Sequence, residues 1–421
     1  TEQLIAVVVD GFSPEQIALT ARLTRIVLPA QVFFIFGGLI QANLQARRVF
    51  GPLALMPLLY NGGIIAGGLI GARFGAIAGF NWGALVGAFL GALVVPAWSA
   101  RGRLAFRFTW RPSHPEVRRF LWTALPLMIG VSLTTVDEWL GRYYGSHLQA
   151  GSISWLNTAR RLMLVPVGLV GTAAGQATGA WIAGLYAERR FDELGSLLGR
   201  ALAAVIGLSM VLAAFVAVRA ESVVALLFEH GQFGHDDTVR TAAALLPYAC
   251  GISAWAVQAV VTRALYATGD TWRPMLATSA VTLASLPLYG WLFQWDIVGL
   301  AAAGSIGMVF QVVVLLWLAR GTLGLRLRPI GGALLRSAVV AVVAGAAAAG
   351  AGGWAGGLAT KSLGRGSLSA AIDLGAAGCA WLVVVVVVGR WLGLPGLKEA
   401  SERLQRRLKG RASADSAGAP R

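Results

Sequence analysis

Between Thr134 and Val165 an otherwise apolar stretch carries Asp137, Glu138, Arg142, Arg160 and Arg161. Carboxylates titrate and pair with guanidinium groups, and the planar fork of an arginine donates to two oxygens of a phosphate at once. On insertion scales each such charge near a bilayer centre costs on the order of 2.5 to 3.5 kcal/mol. Five together require pairing, water or a ligand, which implies a polar cavity inside a helical bundle.

Glu138 and Arg142 stand four apart with the acid first, the favourable order for an ion pair on one helix face. Asp137, one position round the helix, is then expected to face the cavity and to titrate or pair with an arginine, Arg161 being the partner to test. The following segment, GSISWLNTARRLMLVPVG, places Ser154, Thr158 and Arg161 at helical spacing, with Asn157 alongside. Adjacent residues of a helix point about 100° apart, so Arg160 and Arg161 cannot share a face. Arg161 is expected to point inward with the stripe, and Arg160 to meet Glu138, Asp137 or a neighbouring lobe. Two readings remain open: the seven residues Asp137, Glu138, Arg142, Ser154, Thr158, Arg160 and Arg161 bind a substrate, or the charged ones are structural partners of one another.

These residues sit in a chain of 421 residues that is 57% hydrophobic and 13% charged, too apolar for an ordinary soluble domain. A bilayer core of ~30 Å needs about 20 apolar residues per helix, and runs of that length recur throughout. They lack the period-two alternation and roughly ten-residue length of outer-membrane strands. The class is all-α, a polytopic transmembrane bundle. About eleven spans are expected, near 24–46, 52–73, 75–97, 120–145, 152–185, 196–218, 240–267, 274–294, 297–319, 332–354 and 371–393. The opening TEQLIAVVVDGF reads as the last turns of a helix before a glycine-containing break, so a preceding part of the protein is expected.

The formal charge of +16 is topological before it is anything else. Roughly two dozen basic residues fall in one set of alternate loops and the C-terminal tail, against about five in the other, which expects the C-terminus in the cytoplasm. Nucleic acid is not an expected partner. Cys250 and Cys379 lie in apolar runs without the spacing of a disulfide or zinc framework. No motif pairs a nucleophile with a base, so an enzyme is not expected, and neither is a cofactor; a coupling ion or the membrane potential, worth about 2.3 kcal/mol per charge per 100 mV, stays open.

The segment GSISWLNTARRLMLVPVGLVG, preceded by PEVRRFLWTALPLMIGVSLTTVDEWL, resembles the seventh and eighth helices of the MviN/MurJ family of lipid II flippases, within the MOP exporter superfamily. The likeness continues through the loops LLFEHGQFGHDDT and LYATGDTWRP, and the opening LIAVVVDGFSPEQIALTARLTRIVLP is similar to the family's junction of helices three and four. It implies a two-lobed MOP/MurJ-like transporter fold with two additional C-terminal helices, cut short by about three helices of the family's fourteen. On that plan residues 1–97 are the remnant of an N-terminal lobe, 98–119 a basic cytoplasmic linker, and 120–320 the C-terminal lobe. Residues 321–395 are the two extra helices and 396–421 a basic cytoplasmic tail.

The resemblance further implies movement of the undecaprenyl-diphosphate-linked disaccharide-peptide across the bacterial inner membrane by alternating access. Lipid II or a related polyprenyl-diphosphate glycolipid is the implied partner, and membrane lipid the surroundings. Ser154 and Arg161 correspond to the serine and arginine of the family's eighth helix, Arg161 holding diphosphate. The chain departs from the pattern at Arg160, where members often carry an acid, and at Leu164, where they sometimes do. Two alternatives stand beside the flippase: export of another polyprenyl-linked glycan or a cation-coupled drug, and a non-transporting membrane scaffold.

Other features have plainer readings. Glu229, His230, Asp236 and Asp237 are expected in a solvated loop that caps a helix, and Gly269 and Asp270 to end one helix and cap another. GAGGWA at 350–355 has no strand before it and is discounted as a nucleotide motif. Gln31, Gln41, Asn43 and Gln45 line the cavity or bond between helices. The many glycines within spans are expected mostly to serve close helix packing.

Overall fold

The computed structural model describes residues 2–47, 49–102, 113–364 and 366–394, less the side chains of residues 46, 123, 126, 127, 129–134, 137, 180 and 363. Among them every regular element is a helix. The chain divides after Arg118 into two compact units. The tail expected at 396–421 and most of the basic stretch before Arg118 lie outside the described residues.

Unit 1 contains α1 (Glu2–Val8), α2 (Pro14–Val27), α3 (Ala30–Ala46), α4 (Gly51–Arg73), α5 (Ala78–Ala88) and α6 (Val95–Ala100), with a π-helical turn, Phe89–Val94, joining the last two. Ser13 opens α2 through a capping box with Gln16, and Pro14 takes the first helical position, where its missing N–H costs no hydrogen bond. Unit 2 contains α7 (Pro115–Thr134), α8 (Val136–Ser146), α9 (Ser152–Val167), α10 (Ala173–Ala187), α11 (Phe191–Val218) and α12 (Ala220–Phe228). It continues with α13 (His235–Tyr266), α14 (Trp272–Leu292), α15 (Asp296–Leu323), α16 (Arg328–Leu363) and α17 (Ser367–Trp391).

Among the described residues nine stretches are long and apolar enough to cross a membrane. One of them, Trp272–Leu323, holds both α14 and α15 across a short 3₁₀ turn. The span expected at 120–145 is divided at Thr135 into α7 and α8, and the one at 24–46 at Leu28–Pro29 into α2 and α3. The expected span at 332–354 is longer than read, because α16 continues to Leu363. Outward-facing apolar side chains, such as Leu58, Leu69, Leu335, Val342 and Val387, are more than half exposed. Water would penalise such a surface, whereas lipid is its matching solvent. The chain is a multi-pass membrane protein.

Helix association in lipid depends on how closely backbones approach. The hairpin of α4 and α5 shows this most directly: Gly63, Gly67 and Gly71 interleave with Gly79, Gly83 and Gly87. A methyl group on Gly67 would lie 2.6 Å from the Cα of Gly83, and one on Gly63 2.5 Å from the Gly83 carbonyl oxygen. Four-residue spacing keeps each set on one helix face, so the glycines form a flat seam. In unit 2, α13 forms the centre, burying residues on most of its circumference against α9, α11 and α15. The long pair α16 and α17 packs together, with α16 against α11.

Alanine normally stabilises an exposed helix by about 1 kcal/mol relative to glycine. At Gly67 the sign is expected to reverse: Gly67→Ala should destabilise by about 1–3 kcal/mol, as overpacking does. Gly62→Ala, on the same helix with open space at its Cβ, should be neutral or stabilising. Thermal unfolding in detergent checks both; equal responses would contradict the seam.

Candidate functional site

Among the described side chains, three charged residues of α8 and α9, Glu138, Arg142 and Arg160, form a cluster. Glu138 receives Arg142 from its own helix at 3.6 Å and Arg160 from α9 at 3.3 Å. Its side chain and that of Arg142 are about 40% exposed, so the pair within α8 is worth little where water reaches it. Arg160 is more enclosed, its side chain 17% exposed. The expected i,i+4 pair and the expected Arg160–Glu138 contact are therefore both present. Asp137 lies on α8, but its side chain is outside the described ones, and the expected Asp137–Arg161 pairing lies there with it.

Arg160 and Glu138 border a cavity of about 350 Å³ within unit 2. Thr282 and Ser285 of α14, Gln258 of α13 and Gln311 of α15 supply further polar groups. The amide nitrogen of Gln311 is buried without a hydrogen-bond partner. Sequence reasoning missed these residues, because each is a single polar group in an apolar run and only the packing of α13, α14 and α15 gathers them.

The polar stripe occupies a different face. Trp155, Leu156, Ala159 and Met163 are buried in the core of unit 2, which turns the opposite face of α9 outward. Ser154, Asn157 and Arg161 are exposed there and Thr158 is half-buried. Arg161 makes no hydrogen bond or ion pair among the described residues. The six candidates whose side chains are described thus do not converge on one point: Glu138, Arg142 and Arg160 form an ion cluster, while Ser154, Thr158 and Arg161 form a separate open surface, its guanidinium without a partner among the described residues. Pro166, which denies a hydrogen bond to the preceding turn, is followed by a π-helical turn at Gly168–Thr172.

The loop after α12 is tied to the stripe helix. The indole nitrogen of Trp155 donates to Asp237 at 2.8 Å, and Asp237 also accepts from the backbone of Gly234, capping α13. The guanidinium of Arg240 lies 5.0 Å from the Trp155 ring centre and pairs with Asp236 at 2.8 Å. Glu229 accepts from Thr238. The capping role expected of this loop is observed, but the Trp155 link was not foreseen. A buried tryptophan N–H needs an acceptor, yet nothing local indicates one 82 residues away. Asp270 caps α14 through the Arg273 backbone, with Gly269 at φ 84° ending the preceding turn. In unit 1 Gln41 is buried and its amide reaches the Met56 sulfur, whereas Asn43 bonds back to Leu39. Among the described residues no group of three or more His, Cys, Asp or Glu could hold a metal ion.

Fold and site together define a multi-pass helical membrane protein with an open basic stripe on one helix of its larger unit. The chain belongs to the MurJ family: the model of that family, described as Lipid II flippase MurJ, matches residues 1–369. It is 26% identical over 317 residues to a probable lipid II flippase MurJ of Thermotoga maritima, covering 74% of this chain and 63% of that protein. It is 28% identical over 351 residues to that of Bdellovibrio bacteriovorus, covering 78% and 63%. The chain thus spans about 63% of the length of these relatives. A solved structure of lipid II flippase MurJ in an inward closed conformation superposes with a TM-score of 0.72 at 20% identity, covering 91% of this chain and 77% of that one. The fold is therefore that of this flippase.

The Trp155–Asp237 bond should be visible as energetic coupling. Trp155→Phe and Asp237→Asn are each expected to lower the unfolding midpoint, and a double-mutant cycle to give a coupling of about 1–2 kcal/mol. Additive losses would mean that the bond contributes nothing to stability.

Proposed function

We propose that the full-length protein is a lipid II flippase of the bacterial cytoplasmic membrane, moving the undecaprenyl-diphosphate-linked disaccharide-peptide from the inner to the outer leaflet. The observation that carries this reading is Arg161, exposed and without a partner among the described residues on the polar stripe of α9, in a chain whose family match extends over residues 1–369. A free guanidinium costs more in a membrane protein than an apolar residue and is suited to two phosphate oxygens. Ser154 and Thr158 add hydroxyl donors on the same face.

In this reading Arg161 holds the diphosphate while the prenyl chain remains in lipid, and Glu138, Arg142 and Arg160 keep α8 and α9 in register. Asp137, next to Glu138 in sequence, is the carboxylate proposed to titrate or to pair with an arginine. Residues 1–97 belong to one lobe and 120–320 to the other, with rocking between them giving alternating access. Residues 98–119 link the lobes, and 321–395 form the two added helices. The excess of basic residues in one set of loops supports a cytoplasmic C-terminus, with the basic tail 396–421.

Complementation tests the assignment. Full-length protein is expected to rescue cells depleted of their lipid II flippase, and Arg161→Ala to abolish rescue at unchanged expression, with Ser154→Ala giving a smaller loss. Rescue that survives Arg161→Ala would remove the diphosphate site from α9. No rescue by well-expressed full-length protein would favour another polyprenyl-linked glycan or a scaffold role.

A further inference from the structure

At one end of unit 2 the beginning of α12, the last turns of α16 and the first turns of α17 enclose a second cleft, of about 260 Å³. Its floor is Asp373 of α17, 5% exposed. One carboxylate oxygen, Oδ1, accepts from Arg219 Nη1 at 2.6 Å. The other, Oδ2, is buried and has no hydrogen-bond partner among the described residues. The backbone makes room for this pair: a methyl group on Gly352 would lie 2.7 Å from both Arg219 Nη1 and Asp373 Oδ1, and one on Gly356 2.8 Å from the Asp373 Cβ. The glycine run discounted as a nucleotide motif thus serves as the notch that seats a buried ion pair.

The cleft is lined also by Glu221, exposed at its rim, and by Glu229, whose side chain is 17% exposed and whose Oε2 lies 3.6 Å from the His235 ring. Among the described lining residues, three carboxylates therefore accompany one arginine, which is already committed to Asp373. An anion is disfavoured by that balance. A single metal ion is disfavoured too, since among the described residues no three His, Cys, Asp or Glu come together closely enough to ligate one. Separated acceptors around a small cleft instead match a group with several N–H donors pointing in different directions.

We propose that this cleft binds a primary ammonium group, with Asp373 Oδ2 as its buried acceptor and Glu229 and Glu221 as the carboxylates that surround it. The inference is independent of the flippase assignment. The same ammonium chemistry can come from a soluble amine or from the ethanolamine head of a lipid, because α16 and α17, which wall the cleft beside α12, are long and apolar enough to cross a membrane.

The test uses the whole chain in phosphatidylcholine nanodiscs, whose choline heads carry no N–H donor. Thermal midpoints are followed against ethylamine and, at equal ionic strength, tetramethylammonium, and in discs containing phosphatidylethanolamine. Ethylamine is expected to raise the midpoint saturably and tetramethylammonium to leave it unchanged. Glu221→Gln should raise the half-saturating concentration at least about threefold and Glu229→Gln or Asp373→Asn about tenfold, as loss of a charged hydrogen-bond partner does. Should Asp373→Asn fail to fold, the two glutamate variants decide. Stabilisation by phosphatidylethanolamine that makes added ethylamine redundant would support the site and identify a lipid head as its source; a response to ethylamine alone would support it with a soluble amine. Equal responses to ethylamine and tetramethylammonium, no response to any amine, or unchanged titrations in the glutamate variants would overturn it.

Discussion

A polar or charged side chain in hydrocarbon has no water to fall back on, so its partner must come from the protein or from what the protein carries. That constraint organises the larger unit. Arg160 reaches Glu138, the Trp155 indole reaches Asp237, and Arg219 reaches Asp373. Each contact joins elements that apolar packing alone would leave free to slide, because in lipid the tails compete equally for apolar surface. Among the described residues, the Gln311 amide nitrogen and the Asp373 Oδ2 are two of six buried side-chain atoms that this packing leaves without a hydrogen-bond partner.

Close approach is the complementary requirement. The interleaved glycines of α4 and α5 let backbones touch, and the pair Gly352 and Gly356 does the same work for an ion pair. Small residues thus have two distinct uses within one chain. In the first they gain dispersion contacts between helices, and in the second they clear space for a side chain that must be both buried and paired.

The separation of the candidate residues into two groups bears on mechanism. An ion cluster that joins α8 to α9 can hold a helix steady, while Arg161, on the other face of the same helix, is exposed. Arg160 and Arg161 are neighbours in sequence, yet one is a structural partner and the other an open donor, because a helix turns about 100° between them. The bond from Trp155 to Asp237 extends the same helix's restraint to the first turn of α13.

Local periodicity made much legible. Apolar runs of membrane length gave the all-helical class, four-residue spacing gave the Glu138–Arg142 pair, and the divergence of adjacent positions gave different roles to Arg160 and Arg161. Motifs around Ser154 and Arg161 pointed to the family that the comparisons establish. These features depend on residues within a few turns of each other, which is the range over which helix geometry constrains position. Arg219 and Asp373 are 154 residues apart and Trp155 and Asp237 82 apart, and helix geometry sets no relation between such positions. Which lone polar residue meets which, and which is left without a partner, was decided only when the helices packed, because a side chain's environment in a bundle is made by its neighbours in space.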